Sequence, residues 1–270
     1  MLAFLKSLFA KLFTRKVVEV IEHKLDGWIP DTPDSRDFIY TPPKLTKKAR
    51  ALVPPSVDLT AKFGAVENQG RTNSCVGHST TSAMEAVLGV SDKSRLFVYY
   101  NARAREGTTG SDRGCQIRNA MAAASTLGAA DEALWPFDPA QVLVKPGANA
   151  YTNGLTLIPK VGSYERVTTL DALKAALTAG LPVVFGFKVY SSISNTATTG
   201  ICTYPVAGET LLGGHAVVAV GYDDTTGMVK CRNSWGTAWG KAGYFFMPYQ
   251  WFANMSTGLV SDAWLIRPKA

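Results

Sequence analysis

Three widely separated stretches hold residue types that together could perform acyl transfer. In "NQGRTNSCVGHST", residues 68–80, Cys75 opens a segment where Val76, Thr80, Ala83 and Val87 recur at helical spacing. A thiolate attacks carbonyl carbon, and a free cysteine, with a pKa of about 8.5, must be acidified to supply one. A helix N-terminus favours the negative charge, and a neighbouring histidine favours it further by forming a thiolate–imidazolium pair. His215, in "GGHAVVAVGYDD", begins an alternating strand after two glycines that permit close backbone approach. Asn233 lies in "CRNSWGTAWGKAGYFFMP". Its side-chain oxygen can accept from one ring nitrogen of His215 and leave the other for Cys75, with an indole laid over that bond to exclude water. The Gln69 amide and the Cys75 backbone N–H complete the set as donors to an oxyanion. Taken singly, Cys75 reads more readily as a buried core residue than as a nucleophile, and His215 also reads as a satisfied core histidine.

No metal or cofactor is called for. Cys75, Cys115, Cys202 and Cys231 form no C-x-x-C pair, and His23, His78 and His215 show no H-x-x-x-H spacing. With 46% hydrophobic and 18% charged residues, the 270-residue chain can bury a sizeable core and belongs with ordinary globular proteins. Its net charge of +7 is uneven, +4 in the first 50 residues and +3 in the other 220. Without interleaved basic and aromatic residues or a nucleic-acid motif, that basicity reads as solvated surface rather than a nucleic-acid site. Lys6 and Lys11 interrupt the apolar run at the start, so a cleavable signal peptide is not expected, nor is a membrane span.

The elements that must position these residues follow from periodicity. Helices are expected at 75–88, 95–105, 117–127 and 169–179, the last introduced by Thr168 and Asp171 in a capping-box spacing. Strands are expected at 181–189, 215–223, 228–233, 243–247 and 262–267. Helices first and strands later predict an α+β fold of two sub-domains with a cleft between them.

In this order, Gln69-(x5)-Cys75, Gly214-His215-Ala216, Asn233-Ser234-Trp235-Gly236 and Trp239-Gly240 resemble the papain-like cysteine peptidases over about residues 52–267. The short, disulfide-poor form is more similar to bacterial or phage members than to lysosomal ones. The resemblance implies a helical left sub-domain, an antiparallel β-barrel-like right sub-domain, and a polypeptide substrate in the cleft between them. It implies Cys75 as nucleophile, His215 as general base and acid, Asn233 as orienter and Gln69 as oxyanion donor. Asn73, Ser74, Gly114, Cys115, Gly214, Ala216 and Trp235 are then expected along the substrate cleft. Gly114 and Cys115 would form an edge that pairs with substrate backbone, and Ala216 would wall the pocket for the second residue before the scissile bond. Thr72 stands where the family has a disulfide-bonded cysteine, and Asp112 stands in the place of its partner.

Residues 1–51 precede this region and are expected to form a prosegment-like unit that inhibits the 52–270 peptidase domain. An amphipathic helix over 2–25 carries Leu5, Leu8, Phe9, Leu12 and Phe13 on one face, suited to the protein's own body, a membrane surface or a partner. A proline-rich extended linker over 28–51 follows, with Lys47, Lys48 and Arg50 as a cleavage patch and Trp28, Phe38 and Tyr40 as possible core residues. Two other readings use the same residues. One is ligation by the same acyl-transfer machinery. The other is a catalytically idle binding or structural module targeted by the N-terminal helix.

Overall fold

The computed structural model describes residues 23–44, 46, 53–255 and 258–269. After a short strand β1 (Ser56–Asp58) come helices α1 (Cys75–Leu88), α2 (Arg95–Glu106), α3 (Ile117–Leu127) and α4 (Ala148–Gly154). Strand β2 (Val161–Val167), α5 (Leu170–Thr178), β3 (Val183–Tyr190) and α6 (Ile193–Thr199) follow. The chain closes with β4 (Leu211–Asp223), β5 (Met228–Arg232), β6 (Tyr244–Pro248) and β7 (Val260–Pro268). The four expected helices and five expected strands are present within a few residues. Thr169, rather than Thr168, caps α5, its side chain accepting from Ala172 N–H at 3.1 Å.

One antiparallel sheet runs β2-β7-β3-β4-β5-β6, with β1 on the far half of β4. Its order stays open from β2 to β6, so the barrel-like sub-domain is an open sheet.

Strand alternation sends the two faces of this sheet into separate cores. Val183, Phe185, Phe187, Val217 and Ala219 join α5 and Trp251 in one. Val184, Ala216 and Val218 join α1, α2 and α3 in the other. Both cores bury continuous apolar runs, which is why "VVFGF" in β3 shows no polar alternation. Cys75 thus sits where a helix N-terminus meets β4 beside Ala216 on its helical face, whereas His215 lies on the opposite face with Val217, against Phe187.

Residues 23–25 are not helical, and the rest of the expected 2–25 helix lies outside the described residues, as does the Lys47–Lys48–Arg50 patch. Residues 26–44 form no helix and run extended on either side of a turn at Ser35–Arg36, but they do not behave as a free linker. Trp28 and Tyr40 are buried, one in each core, while Phe38 is exposed. Among the described residues no helix is long and apolar enough to cross a membrane.

Candidate active site

Cys75 is the first residue of α1, and its Sγ lies against the backbone N–H groups of Ala216, Val76 and Cys75 itself. His215 Nε2 is 2.8 Å from Asn233 Oδ1. That Asn233 atom also accepts from Ser234 N–H at 2.8 Å, so it is the oxygen, and Nε2 must carry the imidazole proton. In a neutral ring Nδ1 then presents its lone pair, and it makes no hydrogen bond among the described residues. Trp235 stacks on the imidazole, with ring centroids 4.4 Å apart and planes 26° from parallel, and shields the His215–Asn233 bond from water.

Gln69 is bound into the same network. Its Nε2 donates to Thr72 O at 2.9 Å, and its Oε1 accepts from Ser234 Oγ at 2.7 Å. The Thr72 carbonyl can only accept, which fixes the amide's orientation and leaves its second N–H without a partner among the described residues. Gln69, Ser234, Asn233 and His215 form one chain of hydrogen bonds across the junction between the helical lobe and the sheet.

The cleft beside these residues is filled by the chain's own residues 23–31. Gly214 N–H donates to Leu25 O, Cys115 N–H donates to Gly27 O at 3.2 Å, and Ile29 N–H donates to Cys115 O at 3.1 Å. Asp26 and Trp28 thereby form parallel bridges with Gly214 and Cys115. A Cβ on Gly27 would lie 2.5 Å from Cys75 Sγ, so only glycine passes here. The bare Cα of Gly27 faces the thiol, while its carbonyl is bonded to Cys115. Gly114, with φ +82°, supplies the flat edge under the strap, where a side chain would strike Asp26 O and Gly27 O. At the other end His23 also stacks on Trp235, with centroids 5.0 Å apart and planes 7° from parallel, and donates from Nδ1 to Gly70 O at 3.0 Å.

This covering sets the electrostatics. Burial pushes the Cys75 thiol up to about 12, outweighing the three backbone N–H groups that favour thiolate. Burial likewise drives His215 down to about 3, against the pull of Asn233. The acidified cysteine expected from the helix terminus and His215 is therefore not the state of the covered cleft, which holds a neutral thiol and a neutral imidazole.

The papain family cysteine protease profile matches residues 53–261. The chain belongs to this family. It is 35% identical, over 89% of its length and 86% of the relative's, to an uncharacterized peptidase C1-like protein of Acanthamoeba polyphaga mimivirus. Among solved structures, xylellain, a cysteine protease from Xylella fastidiosa, superposes with TM-score 0.81 at 38% identity, covering 92% of this chain and 98% of that one. The proform of the ragweed pollen cysteine protease Amb a 11 shares the fold, with TM-score 0.65 at 21% identity over 89% of this chain and 72% of that one.

For this cysteine peptidase, the residues singled out in sequence fall into distinct places. Cys75, His215, Asn233, Gln69 and Trp235 converge, Gly114, Cys115 and Gly214 border the strap, and Ala216 meets Cys75 Sγ through its backbone N–H. Ser74 does not face the cleft: it is buried, and its hydroxyl points inward to Thr72 Oγ1 at 2.6 Å and His78 Nδ1 at 3.2 Å. Asn73 passes its backbone carbonyl beside Gly27, and its side chain donates away from the cleft to Asp112 O at 2.7 Å. Asp112 ties the cysteine loop down by hydrogen bonds, accepting from Asn73 N–H at 3.1 Å and Tyr99 Oη at 2.8 Å. The four cysteines are free and buried. Sequence reading missed Gly27, Gly186 and Asp262, which act through contacts made only in the folded chain.

Proposed function

We propose that the chain hydrolyses peptide bonds with Cys75, His215, Asn233 and Gln69 as its catalytic set, and that residues 23–37 hold this set closed. With the strap withdrawn, the Cys75 proton passes to His215 Nδ1 and Sγ attacks the peptide carbonyl carbon. The oxyanion is received by the free Gln69 N–H and the Cys75 backbone N–H. His215 then protonates the leaving amine. Water, deprotonated by the same nitrogen, attacks the thioester, releasing the acid and restoring the thiol. Asn233 keeps the ring turned so that Nδ1 does this work, and Trp235 keeps the orienting bond dry.

The observation that carries the reading is the buried His215 Nδ1, left without a hydrogen bond among the described residues while Nε2 is tied to Asn233 and the N–H of the next residue, Ala216, meets Cys75 Sγ. A merely structural histidine would be satisfied at both nitrogens. Inhibition is supported by the pose of the strap. It blocks Sγ with a Cα and turns its nearest carbonyl to Cys115, so it excludes substrate without presenting a scissile bond.

Full-length chain and its Cys75→Ala variant, assayed on a fluorogenic peptide, test the chemistry. The parent should turn over and the variant should not, and equal rates would refute the assignment. The Trp28→Ala chain tests the strap. Losing a buried indole costs about 3–5 kcal/mol of docking, so peptidase activity should rise, and unchanged activity would reject inhibition by this segment.

A further inference from the structure

The strap reveals a pocket whose shape and polarity are more selective than an apolar cavity. Trp28 follows the residue that covers the thiol, so its side chain occupies the pocket one step from Cys75 on the Cys115 side. The floor is backbone. A Cβ on Gly186 would lie 2.1 Å from Trp28 Cε2, and one on Gly214 would lie 2.8 Å from Cε3. These glycines sit on the same face of neighbouring strands, since Gly186 pairs with Ala216 two residues beyond Gly214. The result is a slot for a flat ring.

One end of the slot is a carboxylate. Trp28 Nε1 donates to Asp262 Oδ2 at 3.2 Å, and Asp31 N–H donates to the same oxygen at 2.9 Å. Asp262 is buried, with φ +50°, at a bulge where β7 spends one residue more than β3 between Val184↔Trp264 and Gly186↔Ser261. Bulges and left-handed non-glycine residues re-aim side chains at a local energetic cost. Here the side chain is aimed into the slot. When the strap leaves, Oδ2 loses both donors, whereas Oδ1 keeps Arg166 Nη2 at 2.6 Å.

The charge balance then decides which donor fits. Arg166 and Arg118 are met by Asp31 and Asp37 of the strap and by Asp262 of the body. Without the strap, two guanidiniums face one carboxylate, a local balance of +1. A cationic side chain would bring a third positive charge to Asp262. A neutral N–H donor would not.

We infer that this pocket selects substrates with tryptophan at the second position before the scissile bond, and that Asp262 is the specificity-determining residue that accepts the indole N–H. The inference rests on the peptidase reading above. The test uses full-length chain and fluorogenic peptides that differ only at that position, carrying tryptophan, benzothienylalanine, phenylalanine, leucine or arginine. The strap competes with every peptide alike, so kcat/KM ratios do not depend on how often it is open. Benzothienylalanine keeps the shape of the indole and replaces its N–H by sulfur. Tryptophan should be the best substrate and exceed benzothienylalanine by roughly 10- to 100-fold, as for a lost hydrogen bond to a charged acceptor. Gly186→Ala should abolish the preference for tryptophan over leucine. Equal rates for tryptophan and benzothienylalanine, or a preference for leucine or arginine, would overturn the assignment while leaving the peptidase reading intact. No turnover of any peptide, even by the Trp28→Ala chain whose strap is loosened, would overturn both.

Discussion

Gly27→Ala places a single methyl group where the strap crosses the thiol. The new Cβ would lie 2.5 Å from Cys75 Sγ and 2.7 Å from Asn73 O. Neither neighbour can give way: Cys75 is fully buried, and Asn73 is held by Asp112 through both its backbone N–H and its side chain. Normal contact needs about 3.5 Å, so the strap must lift by about 1 Å, stretching the two hydrogen bonds to Cys115. Overpacking of about 1–3 kcal/mol plus about 1 kcal/mol from weakened bonds gives about 2–4 kcal/mol against closure. At about 1.4 kcal/mol per decade, the open population rises roughly 30- to 700-fold. While the strap is mostly closed, the rate of Cys75 carboxamidomethylation and kcat/KM on a fluorogenic peptide both scale with that population. Peptide mapping after iodoacetamide pulses reports the first, and initial rates report the second. Both should rise by a common factor. An alkylation rate equal to that of the parent chain would refute strap occlusion, and faster alkylation with unchanged kcat/KM would refute Cys75 as the nucleophile.

Among the catalytic set, His215→Ala should remove turnover, whereas Asn233→Ala should be milder, because Trp235 still packs on the ring; a His215→Ala chain with most of its activity would reject the assignment. Gln69→Ala should lower kcat by on the order of 10²–10³ as one oxyanion donor is lost, and a change confined to KM would contradict that role. Closure should tighten on acidification. Burial, then the Asp262 charge, raises the Asp31 carboxyl from 3.8 to about 6. The docked strap therefore holds a proton more firmly than the free strap does, and this contribution to closure is complete below pH 3.8 and lost as pH rises through about 6. The parent-to-Asp31→Asn ratio of Cys75 alkylation rates should rise roughly tenfold from about pH 5 to about pH 7, and a flat ratio would exclude Asp31 as the group.

The elements were legible because each is written locally. Apolar spacing from Val76 to Val87 forms one helical stripe, and the runs in β3 and β4 are β-branched and aromatic. The proposed catalytic set was drawn from sequence because acyl transfer demands those residue types, and the motifs around Gln69, Cys75, His215 and Asn233 keep their order. The strap's proline content also foretold an extended chain, but not its register. Nothing in the local sequence says that Gly27 will face Cys75 or that Trp28 will lie over Gly186, 158 positions away in the chain. Those contacts depend on pairing across the cleft. The same holds for the thiol's protonation: helix terminus and histidine argue for thiolate, and only the folded chain supplies the covering that makes burial win. Asp262 is the clearest case. In sequence it is one acidic residue before an apolar strand. A bulge in β7, set by pairing with β3, turns its carboxylate into the pocket. Local pattern determines which segments form and what chemistry they can carry, whereas long-range pairing decides which groups meet and whether water reaches them.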